Sequence, residues 1–230
     1  MSRAEFDRFA RTYEQDLAKS LSVTGESREY YAQKRIEWTA KCLGRLGRSV
    51  KRIVDYGCGD GANAPMLAEL FNAEYVVGVD VSSESLAVAR QINSRFNIEF
   101  VTTREWSSNG TIDLAFTNGV FHHISPAERA GCLQAIRRAL KPGGVFAFWE
   151  NNPWNPGTQL VMSRCAFDEH AIKISPREGA KLLANAGFRC LRTDSLFYFP
   201  RQLGFLRPAE TWLRRLPLGG QYIVLCENPG

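Results

Sequence analysis

Two adjacent histidines, His122 and His123 in "NGVFHHI", stand in a chain that holds 3 histidines in all. Histidine exchanges a proton near neutral pH more readily than any other side chain, and it is also a common metal ligand. The pair therefore admits a metal site, a proton-transfer pair, or two rings turned apart, one packing and one bonding loop backbone. Metal is disfavoured: neighbouring histidines do not easily converge on one ion, and no cysteine or third histidine lies nearby in the chain. A carboxylate beside either ring would orient it or raise its pKa, and Glu150, at the end of "VFAFWE", is the candidate. His170 in "FDEHAI" is a lone site, read as structural or near a substrate.

A second chemical signature is "VDYGCGDGANAPM". An apolar run ends at Asp55, and Gly57, Gly59 and Gly61 follow before a helical pattern begins. Glycines there permit positive φ and let a ligand approach the backbone, with helix N-terminal amides facing it. The next apolar run, "EYVVGVD", ends at Asp80, about twenty residues on, where a carboxylate can accept both hydroxyls of a ribose. Together these point to an adenosine-containing ligand at the carboxyl edge of a doubly wound sheet. The spacing is not the G-x-G-x-x-G of dinucleotide sites. Acids at Asp55 and Asp60 would repel a pyrophosphate but tolerate a cationic sulfonium or ammonium.

The elements that must position these groups alternate. Phe6, Phe9, Ala10, Tyr13 and Leu17 recur at helical spacing over 4–20, and 28–45 is helical again. Then strands are expected at "KRIVDYG", "EYVVGVD", "IEFVTT", "IDLAFTN" and "VFAFWE", separated by helices. One helix is capped by Ser82 or Ser83. Another starts at Ser125 with Pro126 and Glu128 and stops at "KPGG"; a third starts at Ser175 with Glu178. Such alternation implies a mainly parallel α/β sheet with helices on both faces. "CLRTDSLFYF" and "GQYIVLCE" are two further strands. A proline-punctuated insertion, "NNPWNPGTQLVMSRCAFDEHAIKI", and an arginine-, leucine- and aromatic-rich stretch, "PRQLGFLRPAETWLRRLPLGG", interrupt the last third.

At 230 residues with 44% hydrophobic and 23% charged residues, the chain suits one sizeable globular domain. No apolar run approaches the roughly 20 residues that span a bilayer, and the charged start lacks a signal-like apolar region. A soluble, cytoplasmic protein is expected. The 6 scattered cysteines read as reduced, mostly buried residues, and the net charge of +5, without a basic block, gives no support to nucleic acid as partner.

"VDYGCGDG…VVGVDVS…IDLAFTNGVFHHI…RALKPGGVFAFWE" resembles the class I S-adenosylmethionine-dependent methyltransferases of small-molecule and glycan type, over roughly residues 50–150. The resemblance implies a Rossmann-like seven-stranded sheet, mostly parallel, whose antiparallel last strand arrives as a late hairpin. It implies one methyltransferase domain over 1–230, with a helical lid at 1–48, a cofactor-binding core at 49–150, and substrate-cap insertions with the final two strands at 151–230. S-adenosylmethionine is the implied cofactor. Asp55, Gly57, Cys58 and Gly59 then line its methionine and ribose, Asp80 binds the ribose hydroxyls, and Val81 packs near adenine. The main chain of Asn118 meets the ammonium. Relatives often place an acid after the third strand to hold adenine; here Thr103 and Arg104 stand there, leaving backbone, Glu105 or Trp106 as alternatives. A lid role falls to Tyr13 or Tyr31, and Arg35 meets the cofactor carboxylate. His122 or His123, with Glu150, is the expected base.

Methyl transfer from a sulfonium needs a base only when the acceptor carries a proton that must leave. The histidine–carboxylate pair favours an oxygen acceptor; a small amine, a lipid-linked acceptor and a non-catalytic cofactor-binding subunit are the alternatives. Asn151, Trp154 and Asn155, following the fifth strand, are expected to meet a polar small molecule or glycan. Asn-Pro-Pro-aromatic motifs of base-methylating enzymes end the fourth strand, a place held here by "TNGV", so "NPW" shapes a substrate loop instead. Arg207, Arg214 and Arg215, among leucines and aromatics, are candidates for peripheral contact with a phosphate-bearing surface, without stable insertion.

Overall fold

In a computed structural model, residue 7 and residues 13–230 are described, apart from 94, 96 and 108, with the side chains of 13–15 left aside. Two helices come first, α1 (Tyr13–Leu21) and α2 (Arg28–Arg45), followed by β1 (Arg52–Tyr56), α3 (Asn63–Leu70), β2 (Tyr75–Asp80), α4 (Ser83–Ile92) and β3 (Ile98–Thr102). Then come β4 (Ile112–Asn118), a 3-10 turn (Phe121–His123), α5 (Pro126–Ala139) and β5 (Leu140–Asn151). The last third holds α6 (Pro156–Ser163), a 3-10 turn (Ala166–Asp168), α7 (Pro176–Asn185), β6 (Arg189–Leu196), a 3-10 segment (Arg201–Ala209), α8 (Glu210–Leu213) and β7 (Gln221–Glu227). The expected helix over 4–20 is described from Tyr13 onward, and the lid role of the Tyr13 side chain lies outside the described side chains.

All 7 strands form one sheet in the order β3-β2-β1-β4-β5-β7-β6. Strands β1 to β5 pair in parallel, and β7 enters antiparallel between β5 and β6. The seven-stranded sheet with an antiparallel last strand is thus the one expected. Alternate residues of each central strand point to opposite faces, and both faces are covered. Ile53, Val76 and Leu114 pack with Ile36 and Leu43 of α2, Leu67 of α3 and Leu86 of α4. Val54, Val77 and Ala115 pack instead with Leu133 and Ile136 of α5 and Leu183 of α7.

Local chemistry sets most helix starts. Ser82 caps α4 by accepting from Ser85 N–H, and Ser175 with Glu178 forms a complete capping box on α7. At α5 the outcome differs: Ser125 makes no side-chain cap, because its hydroxyl donates to Glu128 at 2.6 Å. The proline-punctuated insertion contains α6, started by Pro156 at its first turn and capped by Asn155, whose side chain accepts from Thr158 N–H. The strand order reverses between β1 and β4. A crevice opens there at the carboxyl ends of the parallel strands, where open α/β sheets bind ligands.

Candidate active site

A cavity of about 800 Å³ occupies this crevice. Its floor is the glycine loop after β1, the end of β2 and the end of β4; its far wall comes from the two 3-10 turns and α6, and its roof from α1, α2 and residues 197–200.

The glycine loop is built by backbone geometry. Gly57 (φ +76°) and Gly59 (φ +55°) adopt left-handed conformations, and a Cβ on Gly57 would stand 2.3 Å from Val120 Cγ2. A Cβ on Gly59 would meet nothing within 4 Å, so that glycine leaves open space for a ligand against the backbone. Asp80 is aimed by two backbone donors: Gly59 N–H to Oδ2 and Ser82 N–H to Oδ1, each at 2.9 Å. Burial raises the Asp80 pKa against the lowering pull of those amides. At the end of β4, Asn118 lines the cavity, and its Oδ1 is buried without a hydrogen-bond partner among the described residues. An oxygen left so is costly unless a ligand donates to it.

These features fit S-adenosylmethionine. Asp80 would take the ribose hydroxyls, the Gly57–Gly59 backbone the ribose and methionine portion, and Asn118 the ammonium. Val81, Thr103 and Arg104 line the same end of the cavity, where adenine is expected, and Tyr31 and Arg35 line its roof. Arg35 is fixed through a relay, donating to Gln221 Oε1 at 2.9 Å, while Gln221 donates to Asn151 Oδ1 at 3.0 Å.

Several expected residues stand elsewhere. Asp55 and Cys58 do not reach the cavity: Asp55 is 1% exposed beneath the loop, and Cys58 turns its sulfur into the core beside Gly78. Burial pushes the Asp55 carboxyl up to about 7. Asp60 is matched by Arg28, whose guanidinium grips both its oxygens at 2.5 Å, so the repulsion expected from that acid is neutralised in place. Glu105 folds back onto Thr102 and Trp106 packs on Tyr56, and neither lines the cavity. Asn151 and Asn155 line the cavity, whereas Trp154 lies outside it, under the Arg177 guanidinium. Arg207 pairs with Glu26 at 2.6 Å, and Arg214 lies 3.9 Å from Asp194.

The histidines are drawn together rather than apart. The tight turn stacks them with ring centroids 4.1 Å apart and tilted 54°. Glu150, just behind the cavity wall, accepts from His122 Nδ1 at 2.6 Å through Oε2, while Oε1 accepts from Phe121 N–H at 2.8 Å. Asp168, from the second 3-10 turn, places Oδ1 3.2 Å from His122 Nε2 and 3.3 Å from His123 Nε2. The expectation that adjacent histidines cannot converge on one point is therefore corrected: both face a single carboxylate oxygen. Burial alone would lower the His122 pKa, but the carboxylates at its two nitrogens hold it up to about 10. His123 goes the other way, to about 2, through burial first and the neighbouring His122 second. Asp168 was missed from sequence. The signal lay in "FDEH", two positions before His170, which is exposed and outside the cavity.

Residues 53–144 match the family described as a methyltransferase domain. Over 95 residues the chain is 37% identical to the trans-aconitate 2-methyltransferase of Azoarcus sp. (strain BH72), covering 41% of this chain and 37% of that protein. Over 166 residues it is 30% identical to the trans-aconitate 2-methyltransferase of Acidovorax ebreus (strain TPSY), covering 70% and 64%. The chain thus spans between 37% and 64% of these curated relatives. Human N-acetylserotonin methyltransferase, solved with S-adenosylmethionine, shares the fold at a TM-score of 0.66 and 18% identity, over 100% of this chain and 57% of that one.

Proposed function

We propose that this chain, a class I S-adenosylmethionine-dependent methyltransferase by its matched domain and its fold, methylates an oxygen atom of a small-molecule acceptor. One observation carries the reading. One cavity is lined both by Gly57, Gly59, Asp80 and Asn118 and by His123 and Asp168. Its volume of about 800 Å³ lies within the range of small-ligand sites, roughly 300–1,000 Å³. The curated relatives are named for a small-molecule acceptor, which supports the same class here.

Bound in this cavity, the cofactor supplies a methyl group on a sulfonium, a leaving group good enough that the protein's task is mainly placement. Asp80, fixed by two amides, and Asn118 hold one end. Leu160, Met162 and Phe167 exclude water from the acceptor end, and Asn151 and Asn155 offer it polar contacts. His122 has carboxylates at both ring nitrogens and serves as a support for the wall. His123 and Asp168 face the acceptor, and the Asp168 carboxylate takes the proton that a hydroxyl acceptor loses. A carboxylate acceptor has no proton to lose and needs no base.

Incubating the protein with S-adenosylmethionine and panels of small carboxylic acids, alcohols and amines tests this. Formation of S-adenosylhomocysteine with an O-methylated product is expected. Transfer to amines alone would replace the reading with N-methylation, and binding of NAD without S-adenosylmethionine would end it.

A further inference from the structure

We propose that His122, His123 and Asp168 form a binding site for a divalent transition-metal ion of the zinc class, at the acceptor end of the cavity, with Glu150 orienting His122 from behind. What the ion is for rests on the methyl-transfer reading above; that it binds does not.

The spacing of the donors comes first. The donor atoms of the three side chains all lie within 4.8 Å of one another. Asp168 Oδ1 stands 3.2 Å from His122 Nε2 and 3.3 Å from His123 Nε2. An ion ligated at about 2.0–2.1 Å in tetrahedral geometry separates its ligands by roughly 3.3 Å. Two edges of such a polyhedron are therefore already at length. Two imidazole nitrogens with one carboxylate oxygen suit zinc, cobalt or ferrous iron better than magnesium or calcium, which favour all-oxygen shells.

The second argument is orientation. Glu150 Oε2 takes the Nδ1–H of His122 at 2.6 Å, and backbone amides of Phe121 and His122 anchor Oε1 at 2.8 and 3.3 Å. With Nδ1 committed as donor to Glu150, Nε2, which faces Asp168, is the nitrogen left to ligate an ion, in exchange for its proton. A histidine that ligates a metal characteristically gives its other N–H to a carboxylate in this way. Asp168 Oδ1 stands 3.2 Å from His122 Nε2, a gap bridged by a proton in the bare chain and spanned by an ion seated to one side of the line between the two atoms. A divalent ion would engage all three donors at once.

The third argument is access. The side chains of His122, His123 and Asp168 are 3%, 7% and 6% exposed, yet all three line the cavity. Three protein ligands with the remaining position open to a cavity is the pattern of a catalytic rather than a structural zinc site. The open position faces the space assigned to the acceptor, so its natural ligand is an oxygen of that acceptor, from a carboxylate or a hydroxyl.

Cobalt(II) alone, titrated into the chelator-treated full chain, decides the matter. Intense visible d–d bands saturating at one equivalent are expected, displaced by zinc, without a near-ultraviolet thiolate-to-cobalt band. Asp168→Asn, which keeps the side-chain shape, abolishes the bands while circular dichroism and S-adenosylmethionine affinity stay as in the parent. Glu150→Gln keeps the bands but weakens binding about 10–100-fold. Failure of cobalt to bind, bands that survive Asp168→Asn, or a thiolate band would overturn the site. Calorimetry with S-adenosylmethionine on the same sample separates the two claims. Cofactor binding without cobalt binding removes the metal and keeps the methyltransferase reading; cobalt binding without cofactor binding does the reverse.

Discussion

Asp55→Asn should change the pH dependence of stability in a direction and amount that the structure fixes. Asp55 ends β1 just before its last residue, 1% exposed, with Oδ2 lacking a hydrogen-bond partner among the described residues. Burial is the main cause that raises its carboxyl from 3.8 to about 7; an Asn63 hydrogen bond opposes it, and Asp80 and Asp60 add to it. A raised folded-state pKa means that between about pH 4 and pH 7 the folded chain holds a proton the unfolded chain has released. The group's contribution is therefore fully present below about pH 4, declines as pH rises, and is lost once pH passes about 7. Over the whole span of about 3 units this amounts to roughly 4 kcal/mol, and from pH 5.5 to 7 to about 2 kcal/mol, at 1.36 kcal/mol per unit. Asparagine is nearly isosteric and does not titrate. Urea unfolding of both proteins at pH 5.5 and 8.0 should show the variant gaining about 2 kcal/mol on the parent between the two conditions. That exceeds the uncertainty of linear extrapolation in a domain of this size. A difference between variant and parent that stays constant from pH 5.5 to 8.0, or shrinks, would refute the assignment of a buried, proton-holding carboxyl.

Four further outcomes follow from the structure. Asp80→Ala should weaken S-adenosylmethionine binding at least tenfold by calorimetry, since hydrogen bonds to a charged group contribute about 1.5–3 kcal/mol. His123→Ala should leave that affinity within about twofold while lowering turnover on whichever acceptor the screen identifies; equal loss of cofactor affinity in both would make the histidine a structural prop. Gly57→Ala forces a Cβ to 2.3 Å from Val120 and an L side chain into φ +76°, for which about 1–3 kcal/mol is expected, read as a lower Tm. Val120→Ala in the same chain should recover part of it, and no recovery would mean that backbone strain alone is responsible. Cys190 is exposed, and a hydrogen bond from Cys226, 3.3 Å away on the paired strand, lowers its pKa to about 7. Iodoacetamide at pH 7.5 should modify Cys190 before any other thiol, more slowly after Cys226→Ala; first modification of another cysteine contradicts this.

How much of this was legible in the sequence depends on whether the signal was local. The sheet was, because strand-length apolar runs end in turn residues and a Ser-x-x-Glu box marks α7 from four positions alone. Gly57, Gly59 and Asp80 were legible for the same reason: positive φ and a strand-end carboxylate leave their mark at fixed spacing. Side-chain direction was not. Asp55 and Cys58 sit within the same seven residues as the working glycines, yet the alternation of a strand and its following loop sends them beneath the floor. Trp154 and Asn155 are neighbours, and only the asparagine reaches the cavity.

The histidine site shows where such reasoning fails for a physical cause. Adjacent residues diverge on a strand, and on a helix they lie about 100° apart, so two consecutive rings rarely meet a common partner. Phe121–His123 is neither; it is a single 3-10 turn held by Arg129, whose Nε donates to the carbonyls of Phe121 and Ile124 at 3.1 and 3.0 Å. The same arginine donates to Ile172 O, and Ile172 N–H donates to His122 O at 2.7 Å, so the insertion is pinned against the turn. That pinning carries Asp168, 46 positions from His122, to within 3.3 Å of both rings. Arg129→Ala should accordingly do more than loosen a helix. If the arginine is the brace described, it lowers cobalt affinity and turnover together while leaving S-adenosylmethionine affinity near that of the parent, because Asp80 is fixed by the Gly59 and Ser82 amides and not by Arg129. Loss of cofactor affinity alongside the other two would show that the two ends of the cavity are not independently built.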